Sequence, residues 1–287
     1  MLRRLVHPEP ALAALLWGGV FTAVKFGLQS IPTLSFATLR LLLAGCLFLL
    51  IAGRPPWKSL SGPVWNRLIL TGLAQTVFQI LLLQGLQRTS VSASAILLAT
   101  APLLTAVWLA LRREHRQSGR QWVGLAAGFV GVALVVRADG TDLAGSATLG
   151  NLMAFGARVA WAWYSLALRP VVAALGPVRA ATATVVFAAL AFTPFAVPEL
   201  LTVDWARVSW PAWAGLGYGA TAGLVVATAL WVRSLERWGT QLTMNYGYLE
   251  PVAAVIIAAV LLGESLSPLQ VIGGGFALVG VWLASRT

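Results

Sequence analysis

Tyr248-Leu249-Glu250-Pro251 sets a carboxylate and a proline near the middle of an apolar run from about Thr240 to Leu262. A charged side chain at the centre of a bilayer costs about 2.5–3.5 kcal/mol on insertion scales, and such residues mark polar pathways or sites. Pro251 has no N–H to give to the carbonyl of Gly247, and a freed carbonyl in hydrocarbon needs protein or water beside it. Glu250 therefore requires surroundings other than lipid. That requirement points to a polar cavity inside a helical membrane protein. Asn245, Tyr246 and Tyr248 precede it and add an amide and two phenols to the same stretch.

Three cations accompany this acid at membrane depth: Lys25, Arg40 and Arg158. Arg40 lies roughly 12 Å below the end of its span at 1.5 Å per residue. Lys25 is shallower and is equally readable as a snorkelling interface residue. If all face the interior, positive charge is in excess, and a buried cation calls for a counter-charge. A substrate carboxylate would supply it, although an internal ion pair would serve Arg40 as well. Gln75 and Gln79 share one face of their helix, with Thr71 and Phe78 nearby; they either line the cavity or tie neighbouring helices together. Trp17, Trp161, Trp163 and Tyr164 lie deeper than an interfacial belt. They read as an aromatic cavity lining or as packing.

These residues need long helices to carry them. The chain has 287 residues, 59% hydrophobic and 10% charged, whereas a soluble domain carries about 25% charged residues. Helices of about 20 residues span the hydrocarbon core. The pattern predicts ten of them, near 10–29, 32–52, 63–86, 91–111, 119–137, 147–169, 177–198, 210–233, 239–262 and 267–285. Turn residues mark the breaks, as at Gly53-Arg54-Pro55-Pro56, Gly140-Thr141-Asp142 and Ser267-Pro268. The net charge of +11 does not indicate nucleic-acid binding, because the basic residues stand between apolar runs. Arg3, Arg4, Arg54, Lys58, Arg67, Arg112, Arg113, Arg116, Arg120, Arg169, Arg179, Arg233, Arg237 and Arg286 fall on one side of such a bundle. The other side holds only Arg88, Arg137 and Arg207. That asymmetry predicts a multi-pass cell-membrane protein with both termini cytoplasmic. The first apolar run reads as an uncleaved span rather than a signal peptide. Cys46 reads as packing.

An internal repeat appears at an offset of 149 residues: Arg88 falls on Arg237, Pro102 on Pro251, Gln121 on Gln270, Gly124 on Gly273 and Gly131 on Gly280. The repeats are expected at 1–140 and 141–287 with five spans each, an odd number, so the copies insert with opposite topology. Inverted repeats with interrupted helices characterise carriers whose site lies between the halves. Pro102, Gly247 and Pro251 are the expected hinge residues, against the alternative of a static kink. Pro102 should free the carbonyl of Leu98. The glycines of spans five and ten suit close helix approach, within one chain or in a dimer.

Leu16-Trp17-Gly18-Gly19-Val20-Phe21, followed by Lys25, Pro32 and Arg40, resembles the opening of EamA-type proteins of the drug/metabolite transporter superfamily. Leu249-Glu250-Pro251-Val252, followed by Gly263-Glu264, Pro268, Gln270, Gly273 and Gly280, resembles the same family's ninth and tenth helices. The loop Arg112-Arg113-Glu114-His115-Arg116 departs from its short Gly-Glu turn. The resemblance covers nearly the whole chain. It implies an all-α fold of ten helices around a central cavity and export of amino acids or related metabolites, with the aromatic amino-acid exporters as the nearest type. The alternative, a multidrug or quaternary-cation exporter, would want acidic and aromatic groups, whereas this interior is biased positive and span one holds no acid; a receptor or structural membrane protein would need no paired broken helices. Enzyme motifs, a metal site and a cofactor site are not apparent. The expected partners are a small-molecule substrate and membrane lipid, with a monomer favoured over a dimer.

Overall fold

The computed structural model describes residues 7–57, 60–86, 88, 99–113, 117–137, 148–262 and 267–285. Its helices are α1 (Pro8–Gly27), α2 (Thr33–Ala52), α3 (Gly62–Leu86), α4 (Ala101–Leu111), α5 (Gly119–Arg137) and α6 (Thr148–Ala167). They are followed by α7 (Arg169–Leu175), α8 (Pro177–Leu200), α9 (Trp210–Trp238), α10 (Thr240–Asn245), α11 (Leu249–Leu262) and α12 (Pro268–Ala284). Helix starts and stops follow local chemistry. Proline occupies the first turn of α1, α4, α7, α8 and α9, where its missing N–H has no intrahelical acceptor to serve. Gly53, Gly176 and Gly239 end α2, α7 and α9 with φ of 68°, 74° and 81°, a conformation that side chains resist.

The helices follow the ten predicted spans closely. Five of them, α1, α2, α3, α8 and α9, are long and apolar enough to cross a membrane. The fourth span is described only from Ala99, so the expected freed carbonyl of Leu98 lies outside the described residues, as does the turn at Gly140-Thr141-Asp142. Two spans are interrupted. A 3₁₀ turn at Tyr246–Tyr248 divides the ninth into α10 and α11, at the stretch that Gly247 and Pro251 marked. Within α9, a π-helical segment covers Gly219–Val226, which nothing in the pattern anticipated.

The packing is that of an inverted repeat. Helix α5 crosses α12 backbone against backbone: Gly124 lies against Gly280 and Ala284, and Gly131 against Gly273 and Ala277. Gly273 and Gly280 are the repeat counterparts of Gly124 and Gly131, so each glycine meets the counterpart of the other. Only two antiparallel helices related by a pseudo-twofold axis give this pattern. The other pairings obey the same axis. Helix α1 packs on α9 and α11 as α6 packs on α3 and α4, while α2 meets α8 directly. Gly124, Gly128, Gly131, Gly273 and Gly280 thus serve packing within the chain.

Candidate functional site

Helix α6 supplies Arg158, and the first turn of α11 supplies Glu250. Their Nη2 and Oε1 atoms lie 3.8 Å apart, with side chains 7% and 13% exposed. Charge-assisted hydrogen bonds close to about 2.7–2.9 Å, so this pair attracts through charge without a tight bond. The 3₁₀ turn makes Glu250 tolerable: it starts a new helix at Leu249, and the positive N-terminal end of that helix favours a carboxylate in its first turn. The Arg158 guanidinium stands 5.8 Å from the centre of the Phe78 ring, and its Nε has no hydrogen-bond partner among the described residues.

Beside this pair, Trp161 gathers an aromatic cluster from both repeats. Its ring lies 5.3 Å from Trp17, 5.1 Å from Phe78, 5.2 Å from Tyr164 and 5.9 Å from Trp231. Three polar edges of the cluster have hydrogen-bond partners. Trp17 Nε1 donates to the carbonyl of Gly223 at 2.8 Å, inside the π-helical segment. Trp231 Nε1 donates to Ser165 Oγ at 3.5 Å, and the Tyr164 and Thr184 hydroxyls share a bond of 3.2 Å. The π segment thus has one of its displaced carbonyls bonded by a tryptophan from the opposite repeat.

A second cationic centre stands against the next residue of α3. Arg40 Nη2 donates to Gln79 Oε1 at 3.0 Å, and the guanidinium lies 5.9 Å from the Phe36 ring. Gly219 leaves room for its stem. Among the described residues, Arg40 Nε and Gln75 Oε1 are buried without hydrogen-bond partners. Adjacent residues of α3, Phe78 and Gln79, therefore touch one cation each. No carboxylate pairs with Arg40 among the described residues.

Other expected site residues sit apart from these centres. Lys25 is exposed in the last turn of α1. Trp163 faces a different pocket, shared with Arg67, Arg112 and Arg169. Tyr248 is fully buried and donates to the carbonyl of Leu125 at 2.9 Å. Asn245 Nδ2 donates to the carbonyl of Ala284 at 3.0 Å. Gln241 donates both to Asn245 Oδ1 at 2.9 Å and to the carbonyl of Pro102 at 3.3 Å. The first turn of α4, which holds Pro102, is therefore bonded to α10, just ahead of the break before Pro251.

Besides the π-helical segment, two features escaped the sequence reading. Trp231 completes the aromatic cluster, yet its position in α9 carries no motif. A clasp also joins the start of α1 to the end of α9 and to the break in the ninth span. Glu9 accepts from Arg237 Nη1 at 2.7 Å and from Trp238 Nε1 at 3.2 Å. The His7 ring lies 2.9 Å from the Tyr246 hydroxyl and edge-on to Trp238, with centroids 4.4 Å apart. Burial lowers the His7 pKa, an effect the Glu9 charge partly opposes. Glu9 at the head of α1, an acid beside a helix N-terminus, was the available signal.

An inverted pair of five-helix repeats, with broken helices and charged groups at their junction, defines a membrane carrier fold. The EamA-like transporter family model matches residues 11–137 and 148–286, and the chain belongs to that family. It is 28% identical to the uncharacterized inner membrane transporter YedA of Escherichia coli (strain K12), over 99% of this chain and 92% of that one. It is 25% identical to a probable terminal-alkyne amino-acid exporter of Streptantibioticus cattleyicolor, over 96% of this chain and 91% of that one. A solved crystal structure matches with a TM-score of 0.79 at 20% identity, covering 96% of this chain and 94% of its own, a likeness of fold alone. The protein is a membrane transporter.

Proposed function

We propose that the protein exports amino acids or closely related zwitterionic metabolites by alternating access between its two repeats. The observation that carries this reading is the loose Arg158–Glu250 pair at 3.8 Å, set against Phe78 and near Trp161. A zwitterion presents the same two charges at similar spacing. Its carboxylate would take Arg158 and its ammonium Glu250, so that neither buried charge is left unpaired during exchange. The aromatic cluster would take an apolar side chain. The relative described as an amino-acid exporter agrees with this class. The arginine distribution supports an orientation in which both termini, and the Glu9–Arg237 clasp, would face the cytoplasm.

Counterflow of labelled amino acids in proteoliposomes, with and without a pH gradient, tests the proposal. Saturable exchange driven by unlabelled amino acid is the expected result. Exchange of a quaternary ammonium compound with no amino-acid movement would replace the proposal by the cation-exporter reading. Unsaturable flux would indicate a channel.

A further inference from the structure

We propose that Trp17 is a positioning residue that holds the π-helical segment of α9 in register, and that release of its bond to Gly223 lets the first half of α9 turn away from the loop between α1 and α2. The segment covers Gly219–Val226, and the N–H of Ala227 donates to the carbonyl of Ala222, five residues back. An α-helix would reach four back, so the segment carries a residue in excess. Returning it to α-helix passes that residue to a neighbouring turn and rotates one half of α9 against the other by about 100°. Stretches of this geometry are rare and concentrate at functional sites.

Contacts with α1 and α2 oppose that relaxation. Trp17 Nε1 donates to the carbonyl of Gly223 at 2.8 Å, and the Tyr218 hydroxyl donates to the carbonyl of Leu16 at 3.1 Å. Adjacent residues of α1 therefore hold α9 both inside the segment and just before it. Within α9, Thr221 Oγ1 donates to the carbonyl of Gly217 at 2.7 Å, a back-bond of the kind that bends helices. A methyl group at Gly219 would strike the stem of Arg40, and one at Gly223 would strike Val20. The shape of the segment is thus fitted to both helices.

Trp17 joins these contacts to the aromatic cluster, where its ring lies 5.3 Å from Trp161 and 4.9 Å from Trp231. A cargo side chain entering between those rings displaces the indole and draws its N–H away from Gly223. That trigger rests on the cargo site proposed above; the bond and the motion it restrains do not. The half of α9 that turns covers the α1–α2 loop. Ile31 and Phe36 pack against Ala212 and Leu216, and Ser209, just ahead of α9, donates its N–H to Ser30 Oγ at 3.2 Å. Turning Trp210–Tyr218 therefore uncovers Ile31, at the end of α1 opposite the Glu9–Arg237 clasp. A ligand can shift such an equilibrium only by its differential contact with the two states, and the Trp17 ring supplies that difference.

Ile31, 1% exposed, is the reporter. With Cys46 replaced by serine, Ile31→Cys in the detergent-solubilised full chain should react slowly with a water-soluble thiol reagent. Adding Trp17→Phe, which keeps a ring and loses the N–H, should speed the reaction about fivefold, the scale of one hydrogen bond. Trp65→Phe removes the same kind of bond, from an indole to the carbonyl of Trp57, at the other end of the bundle and should react as the parent does. Deletion of Thr221, an exposed residue of the segment, removes the excess residue and closes the segment as α-helix with both halves in place. In a deletion variant that melts with the parent, Trp17→Phe should bring no acceleration, whereas a merely loosened core would still show it. Unchanged reactivity in Trp17→Phe, equal acceleration by Trp65→Phe, or acceleration that persists in the folded deletion variant would each overturn the proposal. L-Phenylalanine, added as the cargo probe, should accelerate the reaction of the parent and not that of the Trp17→Phe variant. If it changes neither while the other results hold, the cargo reading fails and the tryptophan latch stands.

Discussion

Arg158 and Glu250 illustrate how far one pair of residues can decide between stability and function. Removing one partner of a buried ion pair leaves the other charge uncompensated and costs about 3–5 kcal/mol, while replacing both can be nearly neutral. Arg158→Gln and Glu250→Gln should each lower the melting temperature of the detergent-solubilised protein. The double variant should recover most of that loss. Transport should separate from stability, because a zwitterion still lacks its two contacts in the recovered double variant. Recovery of amino-acid counterflow along with stability would make the pair purely structural. His7 offers a second test at this scale. Its folded pKa lies below the ordinary 6.5 because burial disfavours the imidazolium. The folded state then binds fewer protons than the unfolded one, so the contribution of His7 is complete above pH 6.5 and is lost as pH falls through the lowered folded value. His7→Gln, which keeps a hydrogen-bonding group near Tyr246, should show a smaller acid-side drop in melting temperature between about pH 7 and pH 5 than the parent.

At the scale of elements, the crossing of α5 and α12 is the least forgiving contact. A methyl group on Gly280 would meet the backbone of Gly128 and the carbonyl of Gly124, neither of which can swing aside. Gly280→Ala should therefore cost about 1–3 kcal/mol through overpacking. Gly275→Ala, on the same helix with nothing within 4 Å of the new carbon, should be near neutral and serves as its control. Equal melting temperatures for the two variants would show that the crossing is not tight. These glycines also show what the sequence could convey. Their repetition at an offset of 149 residues was visible, and with it an odd-numbered, inverted repeat. That offset holds for α5 and α12, which begin at Gly119 and Pro268, but α1 and α6 begin at Pro8 and Thr148, only 140 apart. Loops of unequal length hide the early spans from a single offset. The break in the ninth span was legible because proline and glycine act on their own backbone. The π segment of α9 was not, because its geometry depends on Trp17, some two hundred residues away, bonding the carbonyl of Gly223. Residue depth was legible in the same way: Arg40, Arg158 and Glu250 are all buried or nearly so. Which of them would meet depended on lateral helix packing, which no local pattern encodes.

At the scale of the whole molecule, a pseudo-twofold carrier needs a difference between its two ends in any one state, and the clasp supplies it. On one end Glu9 joins α1 to Arg237 and Trp238 of α9. The axis carries Arg237 to Arg88 on the opposite end, and Arg88 Nη1 bonds to the carbonyl and the side chain of Gln84, four residues back in its own chain. The start of α6, which takes the place of the start of α1, has no acid in its first turn. Among the described residues the ends are thus tied unequally, with the clasp at the arginine-rich end. The magnitude sets the expectation. Arg237 is 62% exposed, and a solvent-exposed ion pair contributes about 0.2–1 kcal/mol. Arg237→Gln should therefore shift the balance of open and closed states by up to about fivefold without unfolding the chain. Met244, 1% exposed and two residues before Tyr246 of the clasp, can report it. With Cys46 replaced by serine, Met244→Cys should react with a water-soluble thiol reagent several times faster when Arg237→Gln is added. Glu9→Gln should have the same effect, since either change breaks the same pair. If Arg88→Gln accelerated the reaction as much as Arg237→Gln, the asymmetry between the ends would lie elsewhere than in the clasp.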